Sequence, residues 1–316
     1  MANCNNLFRE FNSKIRLSKS KKESLRISRD NLRDKIRQDF SSDAEYNPVF
    51  MGQGSYTLDT IVNPINQGEF DIDDGIYFEV ENEPNESPST FHSWIYNAVE
   101  GYTDIVKDKN TCVRVLFSDG HHIDLTVYYI LPKILYGNHP YLAHKKNGWI
   151  KSDPQEFIKW FNNKLDKEKQ LRRIVRYLKS WCDFKNLSGI TGLILTILAA
   201  EKYVGNEKDD LALLETLKKI KGHLEITFSC FRPTTPCEED LLKNCNENNK
   251  NEFMKALDNI IKSGEQAINT QNQKEACIKW KKHFGERFPC HLADEELEDA
   301  ETFETPAILI SDGRSA

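Results

Sequence analysis

Three aspartates lie in stretches that otherwise have the pattern of β-strands, and they constrain the fold more than any other feature. Asp71 and Asp73 occur in the alternating stretch 70–80, and Asp124 lies inside the apolar stretch 122–130. Side chains two residues apart on a strand leave the same face, about 7 Å apart. An acid that points out of a core-like strand needs a partner, because an unpaired buried charge is costly. We therefore expect the two strands to be neighbours, with all three carboxylates on one face.

Carboxylates arranged in this way suit divalent metal ions. Neighbouring carboxylates raise one another's pKa unless a cation joins them. Mg²⁺ favours octahedral oxygen ligands and keeps water or phosphate oxygens in its remaining positions; Mn²⁺ is the alternative ion. Two ions held by Asp71, Asp73 and Asp124 would activate an attacking hydroxyl group and neutralise a leaving pyrophosphate. The pattern indicates nucleotidyl transfer, whereas a solvated strand face is the competing interpretation of Asp-x-Asp alone.

A turn of small residues, Gly52-Gln53-Gly54-Ser55, precedes the first of these acids by sixteen residues. Glycine allows backbone N–H groups to approach phosphate oxygens closely, and the serine hydroxyl group adds a donor. No Gly-Lys-Ser or Gly-Lys-Thr follows, which excludes a Walker loop. By itself the segment is a common structural turn. Beside the acids, we expect Gly54 and Ser55 to hold phosphate.

Length and composition indicate a globular protein with two lobes. The 316 residues are 39% hydrophobic and 29% charged, which excludes a disordered chain. The longest uncharged apolar run, 189–200, is shorter than the roughly 20 residues that span a bilayer, so no membrane association is expected. The first residues lack the basic start and apolar stretch of a secretory signal. These features predict a cytoplasmic protein whose eight cysteines remain thiols.

Hydrophobic periodicity predicts a change from mixed strands and helices to helices alone near residue 150. Apolar residues at 25, 32, 36 and 40 form one stripe of an amphipathic helix over much of 20–40. The core should contain strands near 49–51, 70–80, 113–117 and 122–130, a helix over 91–106 and a loop-rich stretch at 131–153. Later helices are predicted at 189–204, 208–220, 238–246, 250–268 and 271–284. The segments are therefore an N-terminal helix (1–45), a core (46–150), a helical lobe (151–293) and an acidic tail (294–316).

Charged and polar residues of the second lobe are further candidates for phosphate binding. Arg172, Arg176 and Lys179 follow one line of a helix, which could bind a triphosphate or be a solvated face. Ser188 precedes the most apolar helix, where it could be the N-cap or a phosphate ligand. The pair at 121–122, His-His, is expected to belong to the hairpin turn.

The order of these motifs resembles the cGAS/DncV-like nucleotidyltransferases, the bacterial enzymes that make cyclic oligonucleotide signals in anti-phage (CBASS) defence. The matching segments are 52–56, 70–75, 122–125, 171–181, 188–203 and 280–289, which together touch most of 20–290. The resemblance implies an α+β fold, with a polymerase-β-like core around a mixed sheet. A long N-terminal spine helix and a C-terminal helical lobe are implied as well.

The resemblance also implies residue roles and a reaction. By position, Asp71, Asp73 and Asp124 are similar to the family's catalytic metal-binding triad, and Gln53, Gly54 and Ser55 to its nucleotide-binding turn. Lys179 and Ser188 are similar to its triphosphate contacts, although the interval between those two varies within the family. In the implied reaction, a ribose hydroxyl group attacks the α-phosphate of ATP or GTP and releases pyrophosphate. A second round closes the ring, with a cyclic dinucleotide such as cyclic GMP-AMP as the default product.

The implied partners are the substrates, a downstream effector that reads the product, and ubiquitin-like conjugation enzymes acting on the C-terminus. No zinc-ribbon spacing is present, so activation by DNA is not expected. A template-independent transferase acting on RNA or a small molecule would share the triad and is the alternative. The net charge of −6 argues mildly against RNA. A degenerate nucleotide-binding module is disfavoured because all three acids are present.

Overall fold

The computed structural model describes residues 2–41, 46–65, 70–132 and 139–294. Apart from its first residue, the acidic tail at 294–316 lies outside the described residues. Two hydrophobic cores organise the described chain, one around a β-sheet and one among helices. No helix within the described ranges is both long and apolar enough to cross a bilayer.

The N-terminal segment forms two helices rather than one. Helix α1 (Asn5–Ile15) buries its apolar side in the helical core, whereas α2 (Lys19–Asp39) buries Leu25, Leu32 and Ile36 against the sheet. The break occurs because Arg16 is extended and Ser18 caps α2, its side chain accepting a hydrogen bond from the Lys21 N–H at 3.2 Å. The expected single spine helix is thus divided between the two cores.

The sheet is mixed, which confirms the predicted α+β fold class. Its strands are β1 (Pro48–Gln53), β2 (Phe70–Glu79), β3 (Ile105–Asp108), β4 (Val113–Leu116), β5 (His121–Ile130), β6 (Tyr141–His144) and β7 (Gly148–Lys151). The main order is β1-β2-β5-β4-β3, and β6 with β7 extends from β5. Strands β2 and β5 are parallel and every other pair is antiparallel.

Two sequence predictions in this region are wrong in part. The helix expected over 91–106 is α4 (Pro88–Val99), followed by β3, because Gly101 adopts φ +73° just after the helix end. The stretch 131–153, expected to be loop, contains the short strands β6 and β7. Four-residue strands carry too little periodicity to be distinguished from loop by pattern.

The helical lobe follows Pro154. It consists of α5 (Pro154–Asn163), α6 (Gln170–Lys185), α7 (Gly192–Lys202), α8 (Asp209–Ile226), α9 (Glu247–Asn269) and α10 (Gln273–Phe284). Helix α7 buries seven consecutive residues, 194–200, as its apolar sequence predicts. The helix predicted at 238–246 is absent, since Asp240 accepts hydrogen bonds from the Cys230 and Leu242 N–H groups and holds a turn instead.

Two cysteines are paired, contrary to the expectation that all eight remain thiols. Cys277 in α10 and Cys290 form a disulfide with their Cα atoms 5.6 Å apart. The chain turns back after α10 through a short 3₁₀ helix, Gly285–Arg287, which brings the two positions together. Because the pairing depends on this reversal, the spacing of the cysteines in the sequence does not reveal it.

Candidate active site

The three aspartates lie on neighbouring strands, as expected. In the parallel register of β2 and β5, Asp73 is opposite Asp124 and Asp71 is opposite His122. The intervening Ile72 belongs to the buried core on the other face of the sheet, where α2 and α4 pack. Alternation along both strands therefore places all three carboxylates on the face that is turned away from α2 and α4.

A third aspartate of β2, Asp74, lies on the opposite face of the sheet. Asp74 is fully buried and accepts two hydrogen bonds from Arg33 of α2, one of them 2.7 Å long at Nε. A buried carboxylate paired in this way with an arginine fork is satisfied within the protein. Asp74 is thus a structural residue that joins α2 to the sheet.

Ligand atoms on the face turned away from α2 and α4 lie close enough to share a metal ion. One atom each of Asp71, His122 and Asp124 lies within 4.8 Å of the others. The pKa of Asp73 is raised to about 7, first by burial and then by the charges of Asp71 and Asp124. A divalent cation would relieve this repulsion. The donor set and its crowded charge fit a divalent metal site.

Arg114 is a site residue that the sequence did not indicate. Its Nε and Nη2 atoms donate to the two carboxylate oxygens of Asp124, each at 2.6 Å. The two residues are opposite each other in the antiparallel register of β4 and β5. Counting back from the predicted hairpin turn at 118–120 would have found the pair. Each carboxylate oxygen keeps a second lone pair, so a metal ion can still bind Asp124.

The Gly-Ser turn is built against the acids. Strand β1 ends at Gln53, opposite Asp73 in the register, and α3 (Gly54–Thr57) begins immediately. Gly54 has φ +66°, and a Cβ atom at this position would overlap the Asp73 carboxylate. Only glycine meets both conditions without strain. The backbone of the turn at Gly54 therefore lies against the Asp73 carboxylate, with no space between them for a side chain.

Gln53, predicted to contact nucleotide, uses its side-chain amide within the protein. The residue is 5% exposed, and its Nε2 donates to Thr126 Oγ1 at 2.5 Å on β5. The hydroxyl group of Tyr128 lies 3.4 Å from the same amide. Gln53 lines the cavity but its amide is bound to β5, so a nucleotide contact by this group stays a prediction.

Lys179 extends from α6 of the helical lobe towards the acids. Its Nζ donates to Thr60 Oγ1 at 3.2 Å, and the Thr60 N–H donates to the Ser55 carbonyl at 2.9 Å. The pKa of Lys179 is lowered to about 8 by burial, although the charges of Asp71 and Asp73 act in the opposite direction. The lysine is therefore joined to the turn by hydrogen bonds through Thr60, and it interacts with the acids through charge.

The other two residues of the predicted basic line do not line the cavity. Arg176 donates to Asn12 Oδ1 of α1 at 2.8 Å and to the backbone carbonyl of Asp59, and it is 4% exposed. Arg172 donates to Asn162 at 3.0 Å. Neither interpretation of the line, as a triphosphate contact or as a solvated face, holds for Arg176, because α1 and the loop after α3 cover that side of α6. Lys179 alone of the three lines the cavity.

Ser188 is placed differently from the prediction. It is exposed in the turn between α6 and α7 and is not among the residues lining the cavity. The N-cap of α7 is Thr191, whose side chain accepts a hydrogen bond from the Ile194 N–H at 3.3 Å. The N-cap prediction is therefore wrong by three residues, and a phosphate contact by Ser188 stays a prediction.

A cavity of about 430 Å³ lies between the sheet and the helical lobe. Asp71, Asp73 and the residues 53–55 line its sheet side, and Lys179 with Gly192 lines its helical side. Residues 152–154 form a third wall, where the chain passes from one lobe to the other. Its volume is within the range typical of small-molecule sites. The cavity thus brings Asp71, Asp73, the turn and the lysine to one ligand-sized space.

The amino-acid sequence matches two protein-family models. A family model described as the nucleotidyltransferase domain of DncV-like cyclic GMP-AMP synthases matches residues 48–128. A second model, described as the cyclic GMP-AMP synthase C-terminal domain, matches residues 168–294. The chain belongs to the DncV-like nucleotidyltransferase family.

Individual DncV-like relatives are distant. A cyclic GMP-AMP synthase from Escherichia albertii is 28% identical over 217 residues, covering 64% of this chain and 47% of the relative. A c-di-GMP synthase from Roseivirga ehrenbergii is 27% identical over 218 residues, covering 59% of this chain and 56% of the relative. The matches thus span about half the length of these two relatives.

Solved DncV structures share the fold. The Vibrio cholerae DncV cyclic AMP-GMP synthase superposes with a TM-score of 0.79 at 20% identity, over 91% of this chain and 98% of that chain. Escherichia coli DncV in its 3′-deoxy GTP bound form gives a TM-score of 0.74 at 20% identity, over 90% and 96% of the two chains. Both lobes of the fold are therefore those of DncV.

Proposed function

We propose that this protein is a metal-dependent cyclic oligonucleotide synthase that uses ATP, GTP or both. One observation carries the proposal: a single cavity is lined by Asp71 and Asp73 from the sheet, Gly54 and Ser55 from the turn, and Lys179 from the helical lobe. Asp124 stands opposite Asp73 in the strand register. The relatives named as cyclic GMP-AMP and c-di-GMP synthases support the same activity.

Asp71, Asp73 and Asp124 would hold the divalent ions, with Mg²⁺ as the default and Mn²⁺ as the alternative. Such ions, when bound, neutralise phosphate charge and lower the pKa of the attacking hydroxyl group. The protein's own residues then do the positioning. Arg114 would keep the Asp124 carboxylate in a fixed plane through its two hydrogen bonds of 2.6 Å.

The turn and the helical lobe would bind the triphosphate from two sides. Backbone N–H groups at Gly54 and the Ser55 hydroxyl group would donate to phosphate oxygens from the sheet side. The Lys179 ammonium group would approach from the helical side, held at Thr60 until phosphate arrives. Binding from both sides fixes the α-phosphate in line with the attacking hydroxyl group, which is the main contribution a protein makes to phosphoryl transfer.

Each round forms one bond and breaks one. A ribose hydroxyl oxygen of the acceptor bonds to the α-phosphorus of the donor, and the bond from that phosphorus to the bridging oxygen of pyrophosphate breaks. The hydroxyl proton leaves to solvent or to a neighbouring carboxylate. In the second round the linear product supplies both the hydroxyl group and the triphosphate, so that the ring closes within the same cavity.

The alternative, transfer to RNA, would be expected to use an exposed basic surface. Helix α2 is rich in arginine, but Arg26, Arg33 and Arg37 each pair with a carboxylate at 2.5–2.7 Å. Each of these three charges therefore has a carboxylate partner within the chain. We therefore favour small nucleotide substrates over RNA.

A role in anti-phage signalling follows as part of the proposal. The product would be read by a downstream effector in the cytoplasm, and no activating DNA is expected. Conjugation through the C-terminus concerns residues outside the described ranges, and it stays a prediction.

Incubation of the purified protein with labelled ATP and GTP, Mg²⁺ and then phosphatase tests the proposal. A phosphatase-resistant product formed without primer supports cyclisation, whereas extension of added RNA would favour the alternative. The double variant Asp71→Asn, Asp73→Asn should abolish turnover. Turnover retained by that variant would contradict the metal assignment.

A further inference from the structure

His122 lies among the proposed metal ligands rather than in the hairpin turn. It is the second residue of β5, is 5% exposed, and stands opposite Asp71 in the strand register. One of its ring nitrogens lies within 4.8 Å of a carboxylate oxygen of Asp71 and of Asp124. The turn that precedes it comprises residues 118–120. The sequence prediction of a turn histidine is therefore wrong for this residue.

The preceding histidine has a different environment. Adjacent side chains of a strand point to opposite faces, and His121 packs on the Phe117 ring with centroids 4.2 Å apart while its Nδ1 bonds to Asp119. It is 3% exposed, so the two histidines are buried to nearly the same degree. They differ in that His122 alone faces the acids.

An imidazole nitrogen changes which ion a site prefers. Mg²⁺ is a hard cation that takes oxygen ligands and retains water. First-row transition ions accept imidazole nitrogen together with carboxylate oxygen. A position with two carboxylates and one imidazole therefore suits Mn²⁺ or a similar ion better than a position with oxygens alone.

We propose that His122 is a nitrogen ligand of the metal site, so that the position bounded by Asp71, His122 and Asp124 selects a transition ion such as Mn²⁺ over Mg²⁺. Asp71 and Asp73 offer only oxygens and suit Mg²⁺. The two metal positions thus differ in ligand chemistry, with Asp71 common to both. The inference rests on the proposed function in that both use the same acids.

Electron paramagnetic resonance of Mn²⁺ bound to the nucleotide-free protein tests the inference. Pulsed measurements on protein containing ¹⁵N-labelled histidine should show coupling of the bound Mn²⁺ to a ¹⁵N nucleus. Titration should show at least about a tenfold loss of Mn²⁺ affinity in His122→Phe, while Mg²⁺ affinity, measured by competition, stays nearly unchanged. The matched control His121→Phe removes the neighbouring histidine, equally buried, and should retain both the coupling and the affinity.

Two results would overturn the inference: no ¹⁵N coupling in the wild-type protein, or equal loss of Mg²⁺ and Mn²⁺ affinity in His122→Phe. The first applies even if the variant does not fold, because it needs no substitution. Since these measurements contain no nucleotide, they are independent of turnover. A protein that binds Mn²⁺ through histidine but makes no cyclic product would contradict the proposed function and leave the metal assignment intact.

Discussion

Gly54 and Asp73 approach so closely that a Cβ atom on the glycine would overlap the aspartate carboxylate. The contact connects the proposed phosphate-binding turn directly to a proposed metal ligand. It requires the positive φ of +66° at Gly54 together with the register that places Gln53 opposite Asp73. The turn and the acids are therefore one structural unit.

Substitution Gly54→Ala should displace either the turn or the Asp73 carboxylate. Because a misplacement of about 1 Å can cost roughly a hundredfold in rate, we expect product formation to fall by about that factor or more. Gly101→Ala is the matched control, since Gly101 has φ +73° but open space around a Cβ atom. It should share the backbone strain and keep activity. Similar activity in the two variants would show that the overlap has no consequence.

Asp73 should make the metal-free protein less stable as the pH rises. Its pKa is about 7 in the fold, raised mainly by burial, against about 3.9 when unfolded. Between those values the folded state binds the additional proton, so the free energy of unfolding decreases with increasing pH. We expect thermal unfolding in EDTA to show a lower Tm at pH 8 than at pH 5.5, and added Mg²⁺ to restore it at pH 8.

The variant Asp73→Asn separates this effect from other titrating groups. The Tm of this variant in EDTA should depend less on pH than the wild-type Tm, and at pH 8 it should be the higher of the two. Asp34→Asn removes an acid whose side chain is 74% exposed and should leave the profile unchanged. If Asp73→Asn were no more stable than the wild type at pH 8, burial of the Asp73 charge beside the other carboxylates would not destabilise the metal-free fold.

Arg114 should substitute for a cation when no metal is present. Replacement by Gln leaves the Asp124 carboxylate, which is 7% exposed, without its charged donor. The expected loss of unfolding free energy is about 1–3 kcal/mol. Added Mg²⁺ should then stabilise Arg114→Gln more than the wild type, because the uncompensated carboxylates gain more from a cation. Arg37→Gln, which breaks an exposed pair with Asp34, should show neither effect in parallel Tm measurements.

Lys179 should determine the alkaline limit of nucleotide binding. Its pKa of about 8, lowered by burial, means that it loses its proton as the pH rises through 8. We therefore expect kcat/KM, which reports the free enzyme, to decline above this pH. In Lys179→Arg the charge persists, so the decline should move to higher pH.

Removing the positive charge of Lys179 should weaken nucleotide binding at any pH below that limit. Lys179→Met is expected to raise the Kd for a non-hydrolysable ATP analogue by about tenfold or more. Lys185→Met is the control on the same helix, because Lys185 donates to the Lys282 carbonyl at 2.7 Å, away from the cavity. Equal affinities for the two variants in calorimetric titrations would contradict a triphosphate contact by Lys179.

Several features of the site could be predicted because they depend on local periodicity. The face shared by Asp71, Asp73 and Asp124 follows from the two-residue repeat of a strand. The hairpin at 118–120 and the burial of α7 follow equally from local patterns. Features that depend on packing were missed or misplaced, as with the N-cap of α7, which is Thr191 rather than Ser188.

The sequence by itself determined the acids, the turn, their order along the chain and the faces from which the side chains leave. Tertiary structure alone decided that Arg114 donates hydrogen bonds to Asp124 and that His122 lies beside the acids. It also decided that Lys179 lines the cavity, whereas Arg176 donates a hydrogen bond to α1. The reason is physical. Periodicity defines the direction of a side chain relative to its own strand or helix, whereas its partner is defined by strand register and by the elements that pack alongside.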